Sequence, residues 1–304
     1  MKTSTKIKET AIQIFEAEWQ EKVERIEEIV DLGSVNRVFD IDCSSGGYIL
    51  RLNEEEKRLE FVKEKYCMDK AGDLGLPVPK VLKLGLNGDN LFMLQYKIEG
   101  VNGSKCDAKE KIRIWEQLGN YASKYQQIPR INVPEIEANE FHKTWKHRLK
   151  YNIEELNPND SLLQSGVLKE NEQTEIKSIL TTLLDRDFKT GLVHGDLCPR
   201  NTIFDTSITH LLDWGTAEIN VVPHTEIGVL LMQREANEGE FDAFLKGMGI
   251  SKEKYSAILP DIRKLNLLYR LDKYRWAVDF DVEGLKDYEE KVVESFENCS
   301  LIIS

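Results

Sequence analysis

The chain has 304 residues, 41% of them hydrophobic, which is enough for one large domain or two ordinary ones around a substantial core. Its formal net charge of −12 argues against nucleic acid and anionic membrane surfaces as partners and in favour of a small cationic substrate. The five cysteines are scattered, with no C-x-x-C pair and no histidine at metal spacing. The N-terminus has no signal-like apolar core, and no run reaches the ~18 apolar residues that span a bilayer, so a reduced, cytoplasmic protein without structural zinc is expected.

In residues 6–28, Ile7, Ala11, Ile14, Phe15, Trp19, Val23 and Ile26 recur at three- and four-residue steps and predict one amphipathic packing helix. From residue 29 the pattern becomes strand, turn, strand, turn, strand. The first turn, Gly33-Ser34-Val35-Asn36, has one glycine and is not a G-x-G-x-x-G loop, but its backbone N–H groups with the Ser34 and Asn36 side chains can still cover phosphates. Arg51 follows the apolar Tyr48-Ile49-Leu50, and its guanidinium can grip phosphate oxygens with two prongs. Residues 54–71 read as a helix whose Glu64 is placed to orient Arg51.

Pro77 and Pro79 mark a break, and residues 80–84 and 90–96 complete a five-stranded antiparallel sheet. A nucleotide base is expected against the backbone of Met93, Gln95, Tyr96 and Lys97. The polar run 101–105 reads as a linker. It divides an N-terminal nucleotide-binding lobe, residues 1–97 with a leading helix at 1–28, from a C-terminal helical lobe, residues 98–304, holding the catalytic loop and substrate cleft. Helical spacing recurs at 108–127, 140–156, 168–184, 226–236, 240–246, 252–274 with Pro260 as a break, and 282–298.

Chemistry concentrates in residues 191–215, GLVHGDLCPRNTIFDTSITHLLDWG. Phosphoryl transfer calls for a carboxylate to take the acceptor hydroxyl's proton, then a carboxamide and a second carboxylate on magnesium. Asp196, Asn201 and Asp213 supply these in order. Each is also an ordinary turn residue; it is the three together, with Asp and Asn at kinase-loop spacing and Asp-aromatic-Gly closing the next hairpin, that point to phosphoryl transfer.

GSVNRVFDID with GGYILRL, the Glu64-to-Pro77 spacing with LPVPKVL, FMLQYKIEG, and HGDLCPRN with LLDWG together resemble the aminoglycoside phosphotransferase and choline kinase-like family over residues 32–230. The resemblance implies an α+β, two-lobed protein-kinase-like fold and an ATP- or GTP-dependent, Mg2+-dependent kinase of small molecules. It implies that Asp196 is the base, Asn201 and Asp213 the metal ligands, Arg51 with Glu64 the phosphate-orienting pair, and Ser34 and Asn36 part of the phosphate-covering turn. His194 matches the loop histidine, an organiser rather than an acid or base.

Cys198 and Arg200 depart from the family's usual His and Gly, and Arg200 adds a charge beside the reacting phosphate. Thr225-Glu226 stands where the family usually places a bracing Asp. The acceptor, a hydroxylated and possibly cationic small molecule such as an aminoglycoside, an amino-alcohol or a sugar-like metabolite, is expected between the motif and the helices after residue 225. Glu218, Glu226, Asp272, Trp276 and Asp279 are its candidate contacts. Monomer and homodimer are equally open. A nucleotide-binding pseudokinase with a regulatory or scaffold role is the alternative, against which the intact Asp196, Asn201 and Asp213 speak.

Overall fold

The computed structural model describes residues 4–30, 36–137 and 144–300. The chain opens with α1 (Ser4–Trp19), β1 (Val23–Ile29), β2 (Arg37–Cys43), β3 (Gly46–Glu54), α2 (Arg58–Asp73), β4 (Val81–Asn87) and β5 (Asn90–Tyr96). These strands form the expected five-stranded antiparallel sheet, in the order β1-β2-β3-β5-β4. Alternation splits it into two faces. Phe39, Ile41, Tyr48, Leu50, Phe92 and Leu94 bury against Ala11, Ile14 and Phe15 of α1. Leu91 and Met93 turn the other way, towards Phe61, Met68 and Ala71 of α2.

The single helix expected over residues 6–28 is two elements. Gln20, with φ 60°, ends α1, and Ile26 then pairs with Ile41 of β2. Val23 and Ile26 are three residues apart and fit a helical stripe as well as a strand, so only pairing with β2 decides between them.

The run expected to be a linker is structured as well. β6 (Val101–Asn102) pairs with β8, and a 3-10 turn covers Gly103–Lys105. The chain continues through α3 (Ala108–Tyr125), α4 (Pro134–Glu137), α5 (Trp145–Glu155), α6 (Ser161–Gln164), α7 (Glu170–Thr181), β7 (Thr190–Val193), β8 (Thr202–Asp205), β9 (Ile208–Leu211) and β10 (Glu218–Val221), closing with α8 (His224–Gln233), α9 (Glu238–Gly247), α10 (Lys252–Asp279) and α11 (Leu285–Ser300). Asp107 and Glu110 form a reciprocal cap on α3. The helix start expected at residue 140 lies outside the described residues. The architecture is thus α+β, a sheet followed by a mostly helical part, and no helix among the described residues is long and apolar enough to cross a membrane.

Pro260 does not break α10, which runs unbroken for 28 residues. Packing of α10 against α5, α8 and α11 outweighs the ~3 kcal/mol cost of an internal proline. The second core joins α5, α7, α10 and α11 through Leu149, Ile176, Leu180, Leu268, Leu271 and Phe296. Inside it lies a buried ion pair. Arg275 donates to both Asp160 oxygens at 3.0 and 3.3 Å and to Asn152 Oδ1 at 3.0 Å, while Gln173 Nε2 donates to Asp160 Oδ2 at 3.2 Å.

Removing one partner strands the other charge in an apolar setting. Asp160→Ala should lower the unfolding free energy by about 3–5 kcal/mol in urea titrations, and the double change Asp160→Leu with Arg275→Met should recover most of that loss.

Candidate active site

β7 delivers the chain into His194, which is fully buried. Its Nδ1 accepts the Asp196 N–H at 3.3 Å, so the ring proton sits on Nε2 and is donated to the Leu212 carbonyl at 2.8 Å. The imidazole meets Trp214 edge-on at 4.9 Å. Gly195 has φ +78°, a conformation a side chain would strain. Beneath the loop, the buried carboxylate of Glu226 accepts from the N–H of His194 at 2.8 Å, the N–H of Gly195 at 3.3 Å and the Tyr125 hydroxyl at 2.8 Å. Burial pushes this carboxyl up, partly offset by His194 and these donors. Glu226 therefore braces the loop and is removed from the candidate acceptor contacts.

Asn201 ends a 3-10 turn, Pro199–Asn201, and its Nδ2 donates to the Asp196 carbonyl at 2.9 Å and to Asp196 Oδ2 at 2.7 Å. The amide oxygen of Asn201 consequently faces away from Asp196. The Leu212 N–H donates to the Asn201 carbonyl at 2.9 Å, closing the β8–β9 hairpin, and Asp213 follows at once. Asp213 is exposed and left-handed, with φ 56° and ψ 69°, a backbone state that clusters at functional sites. Two hard oxygen donors, with no cluster of three His, Cys, Asp or Glu among the described residues, suit Mg2+, which keeps waters and takes phosphate oxygens rather than a full protein cage.

The linker side locks the same loop. Asn102 Nδ2 donates to the Arg200 carbonyl at 2.8 Å, and a Cβ on Gly103 would meet the Pro199 carbonyl at 2.7 Å. α2 packs on the turn after Asp213, so its Glu64 pairs with Arg51 in a buried bridge while the Asp213 charge reaches the same guanidinium. Arg51 also lies over the Phe61 ring at 5.2 Å.

Asp196 Oδ1 accepts from Arg200 Nη2 at 2.8 Å and from Gln233 Nε2 at 2.7 Å, and Arg200 also pairs with Glu235. Cys198 is buried, its thiol pushed up to about 12 by burial and then by the Asp196 carboxylate, so it stays protonated and packs as a small side chain.

On the sheet, Asn36 accepts from Asn53 Nδ2 at 2.6 Å, and Ser34 lies outside the described residues. Several N–H groups of the segment expected to meet a base are engaged within the protein. Met93 and Gln95 sit in a central strand paired on both sides, the Tyr96 N–H donates to Lys80 at 3.3 Å and the Lys97 N–H to Gly47 at 3.1 Å. The Tyr96 ring stacks on Tyr48 at 5.6 Å, on the face covered by α1 and opposite Arg51, whereas Lys97 Nζ reaches Asp40 at 3.0 Å.

Of the acceptor candidates, Glu218 is gripped by Arg148 through both oxygens, at 2.6 and 3.3 Å. Asp272 accepts from Asn152 at 3.2 Å, with Arg148 Nε 3.9 Å away. Trp276 and Asp279 are exposed further along α10. A cleft opens between α5, α8 and α10, with Arg148, Asp272 and Tyr269 in its lining. Arg148, Gln233, Glu235 and Tyr125 escaped the sequence reading. Only Gln233 carried a signal, lying seven residues, or two helical turns, from Glu226.

The model of the phosphotransferase enzyme family matches residues 27–258. Among solved structures, a thermostable mutant of an aminoglycoside phosphotransferase, in ternary complex with ADP and hygromycin B, aligns at TM-score 0.68 and 15% identity, covering 95% of this chain and 98% of that one. The GDP and kanamycin complex of a second such enzyme aligns at 0.65 and 14%, covering 95% and 98%. A spectinomycin phosphotransferase with ADP and spectinomycin aligns at 0.61 and 13%, covering 97% and 94%. At these identities the likeness is one of fold. No curated protein sequence matches the chain significantly.

Burial pushes the Glu218 carboxyl up, but Arg148 and Asn220 outweigh it and leave the group below its ordinary range. Its contribution to stability is therefore complete above the unfolded pKa and is lost as pH falls through the folded one. Glu218→Gln should flatten the acid side of stability against pH, read by urea unfolding between about pH 3 and 6.

Proposed function

The chain belongs to the phosphotransferase enzyme family, and from that premise we propose that it moves the γ-phosphoryl group of Mg-bound ATP or GTP to a hydroxyl of a small molecule. The observation that carries this reading is the joint placement of Asp196, Asn201 and Asp213. The Asn201 amide is bound to Asp196, and Asp213 stands one residue past the hydrogen bond that closes the hairpin on Asn201.

In this reading Arg200 and Gln233 hold Asp196 Oδ1, and Oδ2, shared only with Asn201, takes the proton of the acceptor hydroxyl. His194 touches neither substrate; it fixes the backbone of Asp196 through Nδ1 and the approach to Asp213 through Leu212. Asn201 Oδ1 and the Asp213 carboxylate would hold magnesium, which when bound neutralises charge on the phosphate oxygens. Arg51, kept in place by Glu64, grips phosphate with its free prong, and Asn36 belongs to the turn that would cover the phosphates. The base would lie against the backbone of residues 93–97, and the nucleotide-binding lobe ends after Lys97. Catalysis comes from positioning and charge neutralisation.

Asp196→Ala should lower transfer to a hydroxylated acceptor by roughly 10²–10⁴-fold, the usual contribution of a general base, with nucleotide affinity by calorimetry nearly unchanged. Asp213→Asn should weaken nucleotide binding in magnesium far more than without it. Full activity in Asp196→Ala would remove the proposed base, while a wild-type protein that binds Mg-nucleotide but transfers to no acceptor in a panel of amines, sugars and antibiotics would support the regulatory alternative.

A further inference from the structure

We propose that the cleft between α5, α8 and α10 takes a hydroxylated acceptor with a mainly apolar body and at most one cationic group, and that Arg148 is the residue that turns polycations away. The inference rests on the phosphotransferase reading and specifies the substrate class of its acceptor site.

α8 ties the cleft to the chemistry. At about 100° per residue, Thr225, Val229 and Met232 form one stripe of this helix, and all three line the cleft. Glu226 and Gln233 form the adjoining stripe, and they hold His194, Gly195 and Asp196. One rigid helix therefore carries both the residues that hold the Asp196 loop and those that line the cleft.

Its walls are largely apolar: Trp145 from α5, Val229 and Met232 from α8, Leu265 and Leu268 from α10. The charges inside are already matched. Arg148 closes its fork on Glu218 and lies 3.9 Å from Asp272, so one positive and two negative groups leave a local charge of −1. Asn220 Nδ2 donates to Glu218 at 2.6 Å and Asn152 Nδ2 to Asp272 at 3.2 Å, taking further lone pairs. Lys63 adds a positive field on Glu218. A ligand ammonium meeting these carboxylates competes with Arg148, and taking Glu218 from it would leave the guanidinium without its two-pronged partner.

One cation has a place at the rim. Asp272, Trp276 and Asp279 continue a single stripe of α10 out of the cleft, and the Tyr151 phenol there is pushed up by burial, then by Asp279 and Glu155. Lys273 already lies over the Trp276 ring at 5.6 Å, which limits that site further. Several ammonium groups spread over one ligand find no matching set of free carboxylates.

The test is calorimetric titration of the full chain, without nucleotide, with kanamycin as the polycation and a macrolide carrying one amino sugar as the apolar acceptor. The wild type should bind the macrolide more tightly. Arg148→Gln, which frees Glu218 and Asp272, should raise kanamycin affinity by roughly tenfold or more, the scale of a charged hydrogen bond gained. Should Arg148→Gln fail to fold, Arg148→Lys keeps the charge but loses the two-pronged grip, and a smaller change of the same sign is expected. Tighter kanamycin binding by the wild type, an unchanged ratio in the folded variant, or binding of neither probe would each overturn the proposal. Failure of the phosphotransferase reading shows separately, as absence of Mg-nucleotide binding to the same wild-type protein.

Discussion

The arrangement around Asp196 depends on one buried carboxylate. Glu226 has no solvent, and its lone pairs are taken by two successive backbone N–H groups of the loop and by the Tyr125 hydroxyl. Each donor would otherwise be left unsatisfied in a dry interior, a cost of about 1–3 kcal/mol apiece. The carboxylate therefore fixes the backbone at Gly195, where the loop takes a positive φ. From that point the order spreads outwards. His194 hands the constraint to Leu212, Leu212 to Asn201, and Asn201 to Asp196, so that the Asp196 carboxylate and the Asn201 carboxamide share one hydrogen-bonded circuit, with Asp213 next in the chain to its Leu212 member.

α8 gives this circuit its second role. A helix that presents Glu226 and Gln233 to the loop on one stripe necessarily presents Thr225, Val229 and Met232 about a quarter-turn away, since its period leaves no other choice. The spacing between the loop and the cleft is therefore set by a single rigid element. A change in acceptor size can be met by substitutions on the outer stripe while the inner one keeps its hold on the loop, because the two stripes face different neighbours.

The sequence made the chemistry legible where it is compact and local. Asp196, Asn201 and Asp213 lie within one stretch, and their order and spacing are constrained by a hairpin that the strand pattern already announces. Arg51 and Glu64 were legible because a strand and the next helix pack face to face. What stayed hidden depends on distant partners. Val23 and Ile26 became strand residues only through β2, and residues 101–102 became a strand only through β8. The side chain of Tyr96 goes to the face of Tyr48, opposite that of Met93, because alternation along the strand has period 2. Arg148 lies 70 residues before Glu218 in the chain, and no local pattern links them.

Net charge and site charge separate for the same reason. The formal charge of −12 is a sum over the whole surface, and it raises the concentration of any cation near the protein. Recognition, by contrast, is decided by the few groups that a bound ligand desolvates, and there Arg148 cancels half of what Glu218 and Asp272 supply. An acidic surface around a nearly neutral cleft attracts cations without holding them. In the proposed reaction the donor is a nucleotide triphosphate, so unpaired carboxylates near the loop would repel the phosphates that Arg51 is proposed to gather. Pairing Glu218 with Arg148 limits the repulsion that the cleft would add beside such an anionic donor.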